Sequence, residues 1–451
     1  KEMESYNATV TEEIDRTATR NGLKESIDYC KSLKEGDYSN KDTFAKLADA
    51  ITTAEKAYTN VSDTRLNYKA ARDTLEKVRV ALTKNVSTES SNPKTFRILD
   101  KKTVIKEMGA GINLGNTMDG GLYDSSETGW QAYKTTKDYI KALHDAGYNT
   151  VRIPVTWGSH INDDYTIDEA WINRVQEIVD YCVDQDMYAI VNIHHDGAAN
   201  HDDRGNNTPA CWLDTYSQNI EKVYQKYEGV WNTIANRFKD YDEHVIFESM
   251  NEVTDAHGTA TNEDDAVLNA LNQLFINTVR ATGSNNTKRW LAITGRFATT
   301  AAITTMPEDT LADSGDLGTT RLMFAVHIYK SNNNVRWSYD DLKQWQSSMS
   351  SSYKNVGNLD SNMPIYVGEY GVRTKAQNGS ATGYNNAERA LNYEMCAAIA
   401  DFYNAVPVVW DQGTGNYLGV ETEQGLFTDW NRPELKPVYD DAWNIGSRKE
   451  H

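Results

Sequence analysis

Two carboxylates stand where short apolar runs stop. Val245-Ile246-Phe247-Glu248-Ser249-Met250-Asn251 leads into Glu252, and Pro364-Ile365-Tyr366-Val367-Gly368 leads into Glu369. Runs of this length and make-up read as buried strands. A carboxylate at the C-terminal end of a parallel barrel strand faces the barrel mouth, where reacting groups gather. Two of them can act as proton donor and nucleophile on either side of a glycosidic bond if their pKa values are pushed apart. One such glutamate alone decides nothing, since strands often end on an acid where the chain reaches water. The neighbours carry the argument: Asn251 precedes Glu252, Gly368 and Gly371 flank Glu369-Tyr370, and other strand-like runs end on Arg152, His194, His327, Tyr329 and Trp410.

Each of these has an expected task. Arg152 and the phenol of Tyr329 would support a charge on Glu369, because a nearby cation lowers a carboxyl pKa. Glu252 would carry the proton, raised by burial and by the like charge of Glu369. Asn251 suits a sugar 2-hydroxyl, a contact that strengthens in the transition state. His327 is expected near Glu252. Trp410, followed at once by Asp411-Gln412-Gly413, suits a platform under the reacting sugar. His194-His195-Asp196 has metal-binding residue types, but neighbouring strands offer no clear third ligand set, so positioning or hydroxyl binding is expected and metal is not.

So many polar strand ends need a scaffold that brings them to one face. Beyond residue 98 apolar strand-like runs (111–115, 150–155, 188–194, 245–251, 289–294, 322–329, 364–369 and 406–410) alternate with helical ones (136–146, 168–185, 220–240, 264–280, 339–350 and 387–404). That alternation predicts an α/β fold, a closed (β/α)8 TIM barrel over residues 98–447, with only a short helix after the fifth strand. An open dinucleotide-binding sheet is disfavoured, since no Gly-rich phosphate loop follows a strand.

Residues 1–87 have a different grammar. After an extended lead, three helices are predicted, the first beginning near Leu23, the second through Phe44 to Tyr58, the third from Thr64 to Leu82, with a turn and cap at Asn60-Val61-Ser62-Asp63. This is a small all-α bundle, and a spacer role is the plain expectation. Residues 88–97, with Ser87-Thr88-Glu89-Ser90-Ser91-Asn92-Pro93, form a polar linker.

The net charge of −19 argues against nucleic acid as a partner and fits a neutral substrate. Four cysteines, Cys30, Cys182, Cys211 and Cys396, are too few for a disulfide scaffold and have no metal-ligand spacing, so structural thiols are expected. No run is long enough to span a membrane. The start, Lys1-Glu2-Met3-Glu4, has no signal-peptide pattern, as expected of a mature chain.

Two resemblances add to this. Residues 21–82, with Lys34-Glu35-Gly36-Asp37-Tyr38 before the second helix, resemble the FIVAR module of secreted bacterial surface and carbohydrate-active proteins. Residues 96–443 resemble glycoside hydrolase family 5. The motifs are Gly111-Ile112-Asn113-Leu114-Gly115-Asn116-Thr117, Val151-Arg152-Ile153-Pro154-Val155-Thr156-Trp157, Asn192-Ile193-His194-His195-Asp196, Asn251-Glu252, His327-Ile328-Tyr329, Gly368-Glu369-Tyr370-Gly371 and Val409-Trp410-Asp411. The family's ordered set falls on Arg152, His194, Asn251, Glu252, His327, Tyr329, Glu369 and Trp410. It implies Glu252 as acid/base and Glu369 as nucleophile of a retaining reaction, with no cofactor. The first two motifs look most like subfamily 4, which implies an endo-β-1,4-glucanase on cellulose, mixed-linkage glucan or xyloglucan. A mannanase or xylanase on the same barrel and a non-catalytic glycan-binding protein are the alternatives. Asn113, Asp119, Trp157 and His195 are further candidates for sugar contact. Val253 stands where the family usually has proline, which puts the loop on the leaving-group side in doubt. A secreted bacterial monomer with a β-linked polysaccharide as partner is expected.

Overall fold

The computed structural model describes residues 2–87, 92–121, 126–130, 134–197, 211–217, 219–253, 262–300, 303, 306–317, 320–329, 339–359, 363–371 and 386–411. Within them, eight parallel strands close on themselves in sequence order: β1 (Gly111–Asn113), β2 (Thr150–Ile153), β3 (Tyr188–Asn192), β4 (Val245–Glu248), β5 (Leu291–Ile293), β6 (Leu322–His327), β7 (Ile365–Glu369) and β8 (Ala405–Val409). This is the predicted (β/α)8 barrel. After the N-terminal α1 (Glu2–Ser32), α2 (Lys41–Thr59) and α3 (Arg65–Val80), a short α4 (Lys101–Met108) precedes β1. The crossovers are α5 (Lys137–Asp145), α6 (Glu169–Val183), α7 (Ile220–Phe238), α8 (Asn262–Ala281), α9 (Tyr339–Leu359) and α10 (Asn386–Phe402). Between β5 and β6 the described residues hold only 3-10 turns, at Arg296–Ala298 and Gly315–Leu317.

The helices start where side-chain oxygens take up orphan backbone donors. Thr136 accepts from Tyr139 N, Asp168 from Trp171 N and Asn219 from Lys222 N. Inside the barrel the period of two along each strand stacks a dry layer, with Tyr188, Ile190, Ile246, Ala292, Met323, Ala325, Tyr366, Val406 and Val408, closed below by Val104, Ile105 and Met108 of α4. The next inward positions toward the mouth are Asn113, Arg152, Asn192 and Glu248. All four are buried, and buried polar groups must find partners. Outside the barrel, Trp231 of α7 packs against Phe247 and Phe275, with ring centroids 5.8 and 4.5 Å away.

Three expectations change at the N-terminal side. The lead is not extended: α1 is one helix from Glu2 to Ser32, and Met3, Tyr6, Val10 and Ile14 already fall at helical spacing in its first turns. The cap of α3 is Thr64, whose hydroxyl accepts from Asn67 N at 3.1 Å, rather than the four residues before it. Residues 92–97 of the linker are pinned to the barrel: Lys94 N donates to Asp240 O at 2.8 Å, and Arg97 pairs with Glu243 and Glu107. The four cysteines are buried, and no two of them are joined. Among the described residues no helix is long and apolar enough to cross a membrane.

Candidate active site

Arg152 is the hub. It is fully buried on β2, and each of its five N–H donors is used. Nε and Nη2 fork onto the two oxygens of Glu248, at 2.8 and 2.7 Å. Nη1 donates to Asn113 Oδ1 at 2.9 Å and to Glu369 Oε1 at 2.8 Å, and Nη2 also reaches Asn251 Oδ1 at 2.8 Å. Glu248 fills its remaining acceptor sites with the Tyr366 hydroxyl and with Asn192 Nδ2 at 3.3 Å. Asn113 spends its amide on the carbonyls of Gly368 and Val409. One guanidinium thus ties the ends of β1, β2, β4 and β7 together.

Glu369 is held from both sides, by Arg152 on Oε1 and by the Tyr329 hydroxyl on Oε2 at 3.0 Å. Among the described residues Glu252 has one hydrogen-bond partner, His327 Nδ1, at 2.7 Å. His327 Nε2 is buried without a hydrogen-bond partner among the described residues, and the network places a proton on Nδ1, where Glu252 accepts it. The close approach needs Gly368: a Cβ there would lie 3.2 Å from His327 Nε2 and 3.1 Å from the Tyr366 ring. A register shift between Val326 and His327 brings His327 beside Glu369. Glu252, one residue beyond Asn251, is fixed by the chain before it. Asn251 N donates to Ile193 O, and Ser249 O accepts from Tyr227 Oη and Trp231 Nε1. Val253 is buried in the core, and the loop whose shape it puts in doubt lies outside the described residues.

Oxygens of Glu252 and Glu369 lie within 4.8 Å of one another. Their pKa values move in opposite directions. Burial raises Glu252, but the hydrogen bond and charge of His327, with Arg152, outweigh it and leave Glu252 below the ordinary carboxylate value. Burial raises Glu369, His327 and Arg152 pull it down, and the charge of Glu252 pushes it up, leaving it above that value. Both directions reverse the sequence expectation. The side chain of Glu252 is 40% exposed and leans on a histidine, while Glu369, at 8%, lies deeper and feels its partner's charge.

The other candidates separate into three kinds. Trp410 stacks on His194, rings 5.7 Å apart and 6° from parallel. Gly115 makes room for it, since a Cβ there would fall 2.7 Å from the indole and 2.5 Å from Asp411 O. His194, burial-lowered and neutral, accepts from Asn192 Nδ2 at Nδ1. Its Nε2–H therefore faces the cleft, 3.9 Å from both Asp119 and Glu369. Asp119 is buried, and its Oδ2 is 3.4 Å from His195 Nε2. Asn113 and Trp157 are corrections: both are buried with their donors spent, Trp157 Nε1 on Asn192 O at 2.8 Å, so they hold strand ends rather than touch a sugar. Asp119 Oδ1 accepts from Thr117 N at 2.9 Å, while its Oδ2 is buried without a hydrogen-bond partner among the described residues.

Two groups have metal-ligand types at short range: Asp119 with His194 and His195, and Glu252 with His327 and Glu369. In the first, His194 could ligate through Nε2 only by moving its proton to Nδ1, against the Asn192 amide that points at it. Val155 N–H donating to Asn192 Oδ1 holds that amide in its orientation.

Glu248, Asn192, Tyr366 and Trp130 were not singled out from the sequence. Glu248 and Asn192 have a legible signal: a charged or amide side chain at an inward position of an otherwise apolar run. Trp130, 43% exposed and edge-on to His195 at 5.3 Å, has none.

The family model for cellulases, glycosyl hydrolase family 5, matches residues 105–416. The chain belongs to glycosyl hydrolase family 5. Among curated relatives, Endoglucanase A of Paenibacillus barcinonensis is 33% identical, the match covering 72% of this chain and 85% of that protein. Endoglucanase A of Ruminococcus albus is also 33% identical, over 71% and 87%. Among solved structures, a family 5 xyloglucanase from Paenibacillus pabuli is 30% identical with a TM-score of 0.66, covering 76% of this chain and all (100%) of that one. A subfamily 4 broad-specificity endoglucanase from Ruminococcus champanellensis with bound cellotriose is 31% identical with a TM-score of 0.65, over 77% and 100%. The family 5 barrel here is thus a glycoside hydrolase of the subfamily 4 type. Helices α1 to α3 lie outside the family match, and their likeness to the FIVAR module rests on sequence alone.

Proposed function

We propose that this family 5 protein is a secreted, retaining endo-β-1,4-glucanase with Glu369 as nucleophile and Glu252 as acid/base. The spacing of the two carboxyls carries the reading: oxygens within 4.8 Å of one another suit the close pair of a retaining enzyme, about 5–5.5 Å apart, better than the roughly 6.5–9.5 Å of an inverting one. Glu369 attacks the anomeric carbon while Glu252 protonates the leaving oxygen; Glu252 then takes a proton from water, which releases the sugar from Glu369. Arg152 and Tyr329 place Glu369 without blocking its attack. Asn251 keeps its Oδ1 on Arg152, which turns its amide donors toward the sugar 2-hydroxyl. Trp410 and the exposed Trp130 supply flat faces along the cleft, suited to a glucan backbone.

Cellulose, mixed-linkage glucan and xyloglucan are the proposed substrates, by likeness to the xyloglucanase and the broad-specificity endoglucanases. The direct experiment is reducing-end release from barley β-glucan, xyloglucan, carboxymethyl-cellulose, glucomannan and xylan. Cleavage confined to glucomannan or xylan would replace the substrate class, and no cleavage at all would favour a glycan-binding protein.

Two further outcomes follow from the geometry. Glu252→Gln removes the charge that raises Glu369, so with an activated aryl cellobioside, which needs no proton donor, the acid limb of the rate profile should shift to lower pH than in the wild type. An unmoved or upward-shifted limb would break the electrostatic link between the carboxyls. Gly115→Ala should tilt Trp410 and lower kcat/KM by about 10- to 100-fold, since small misplacements near the reacting sugar are costly, and should lower the melting temperature as well, because the new Cβ meets the Asp411 backbone oxygen. Steady-state kinetics beside a thermal melt checks both halves.

A further inference from the structure

We infer that the helical module is a working part of the cleft: α3 clamps the chain at residues 214–217, and this elbow holds Trp212 and Asp196 in place beneath His195. The inference rests on the glucanase reading of the cleft.

The connection from β3 to α7 is long, and a long connection loses much conformational entropy when ordered. Its two described ends meet in a short parallel bridge, Gly197 with Leu213, where Leu213 N donates to Asp196 O at 2.8 Å. Asp196 is fully buried. Its carboxylate accepts from Trp157 N at 3.1 Å and from Trp212 Nε1 at 2.6 Å, which ties the ends of β2 and β3 to the returning chain. Burial pushes Asp196 up to about 6, against the hydrogen bonds from Trp157 and Trp212 and the charge of Lys226. Lys226 of α7 lies 4.9 Å over the Trp212 ring. The elbow follows, with Tyr216 N on Asp214 Oδ1 at 2.9 Å and Ser217 N on Asp214 O at 3.3 Å.

Two arginines of α3 meet this elbow. Arg65 Nη1 donates to Tyr216 Oη at 3.2 Å, and Arg72 Nη1 to Ser217 O at 3.2 Å. A mere spacer would leave the charges of α3 in water. Instead Lys69, Arg72, Glu76 and Arg79 are all buried, at helical spacing. Further along, Arg79 joins Glu221 and Glu228 at 3.2 and 3.0 Å, and Lys84 pairs with Glu228. Asn277 of α8 donates to Val80 O at 2.8 Å and Leu82 O at 3.1 Å. These contacts fix the register of α3 on the barrel, so that Arg65 and Arg72 arrive at the elbow rather than elsewhere.

The test uses the full chain with Tyr216→Phe, Arg72→Met and, as control, Lys31→Met, which removes an exposed ion pair with Glu55 between α1 and α2. For the first two, KM on barley β-glucan should rise about three- to tenfold with kcat nearly unchanged, the mark of lost substrate positioning. Amide exchange at residues 213–217 should speed up, and the control should alter neither. An unchanged KM in both elbow variants, or an equal rise in the control, would overturn the clamp. Tyr216→Phe decides alone if Arg72→Met fails to fold. A wild type that cuts no β-glucan would instead overturn the glucanase reading.

Discussion

Glu369→Ala is expected to lower kcat on barley β-glucan by roughly 10⁴-fold or more, since it removes the proposed nucleophile. The fold should survive. Arg152 keeps its forked pair with Glu248, so no lone buried cation is created, and the circular dichroism melt should stay cooperative. Azide separates the two proposed roles. It should enter the space left in Glu369→Ala and give the α-glycosyl azide from an activated substrate, because one displacement inverts. In Glu252→Ala it should attack the glycosyl-enzyme and give the β-azide, because two displacements retain. Proton NMR of the products distinguishes them, and a β-azide from Glu369→Ala would exchange the assignments.

Arg152→Met should have the largest effect on stability. It strands Glu248 and Glu369 in the barrel without their cation, and removing one partner of a buried pair typically costs about 3–5 kcal/mol. Chemical denaturation would measure it, and a loss under about 1 kcal/mol would contradict the hub role. Glu248→Gln tests the same pair through pH. Burial raises Glu248, but the charge and hydrogen bonds of Arg152 more than offset it, so its folded pKa is depressed. A depressed carboxylate adds stability above its unfolded pKa and loses it as pH falls through the folded value. The stability gap between wild type and Glu248→Gln should therefore be full at neutral pH and close in acid, below the ordinary carboxylate range. A gap independent of pH would rule out this linkage.

What the sequence disclosed, and what it hid, has a physical pattern. The barrel was legible because buried parallel strands are short apolar runs, and Glu252, Glu369 and Arg152 were legible because each interrupts or ends one. Glu248 was passed over inside its run as part of the strand, although a charge at an inward position demands a partner. Trp157 reads alike as sugar contact or core; its full burial and the hydrogen bond from its indole to Asn192 O decide. The pKa order of the two glutamates could not be read, since it depends on how deeply each carboxyl lies and how far the contacts of His327 and Arg152 offset that burial. The first turns of α1 carry only a thin helical stripe, Met3, Tyr6, Val10 and Ile14 among polar residues, a weaker signal than the stripes of α2 and α3.

The two glutamates are embedded very differently. Glu369 belongs to a lattice in which Arg152 has no donor to spare and Glu248 no vacant acceptor, so a change at one node must be answered at several others. Glu252 hangs from a single histidine at a half-open edge. Variation, natural or selected in the laboratory, therefore has one cheap direction. Shifts in pH preference should accumulate around Glu252 and His327 by single steps, while the nucleophile's surroundings stay frozen for want of any neutral first move.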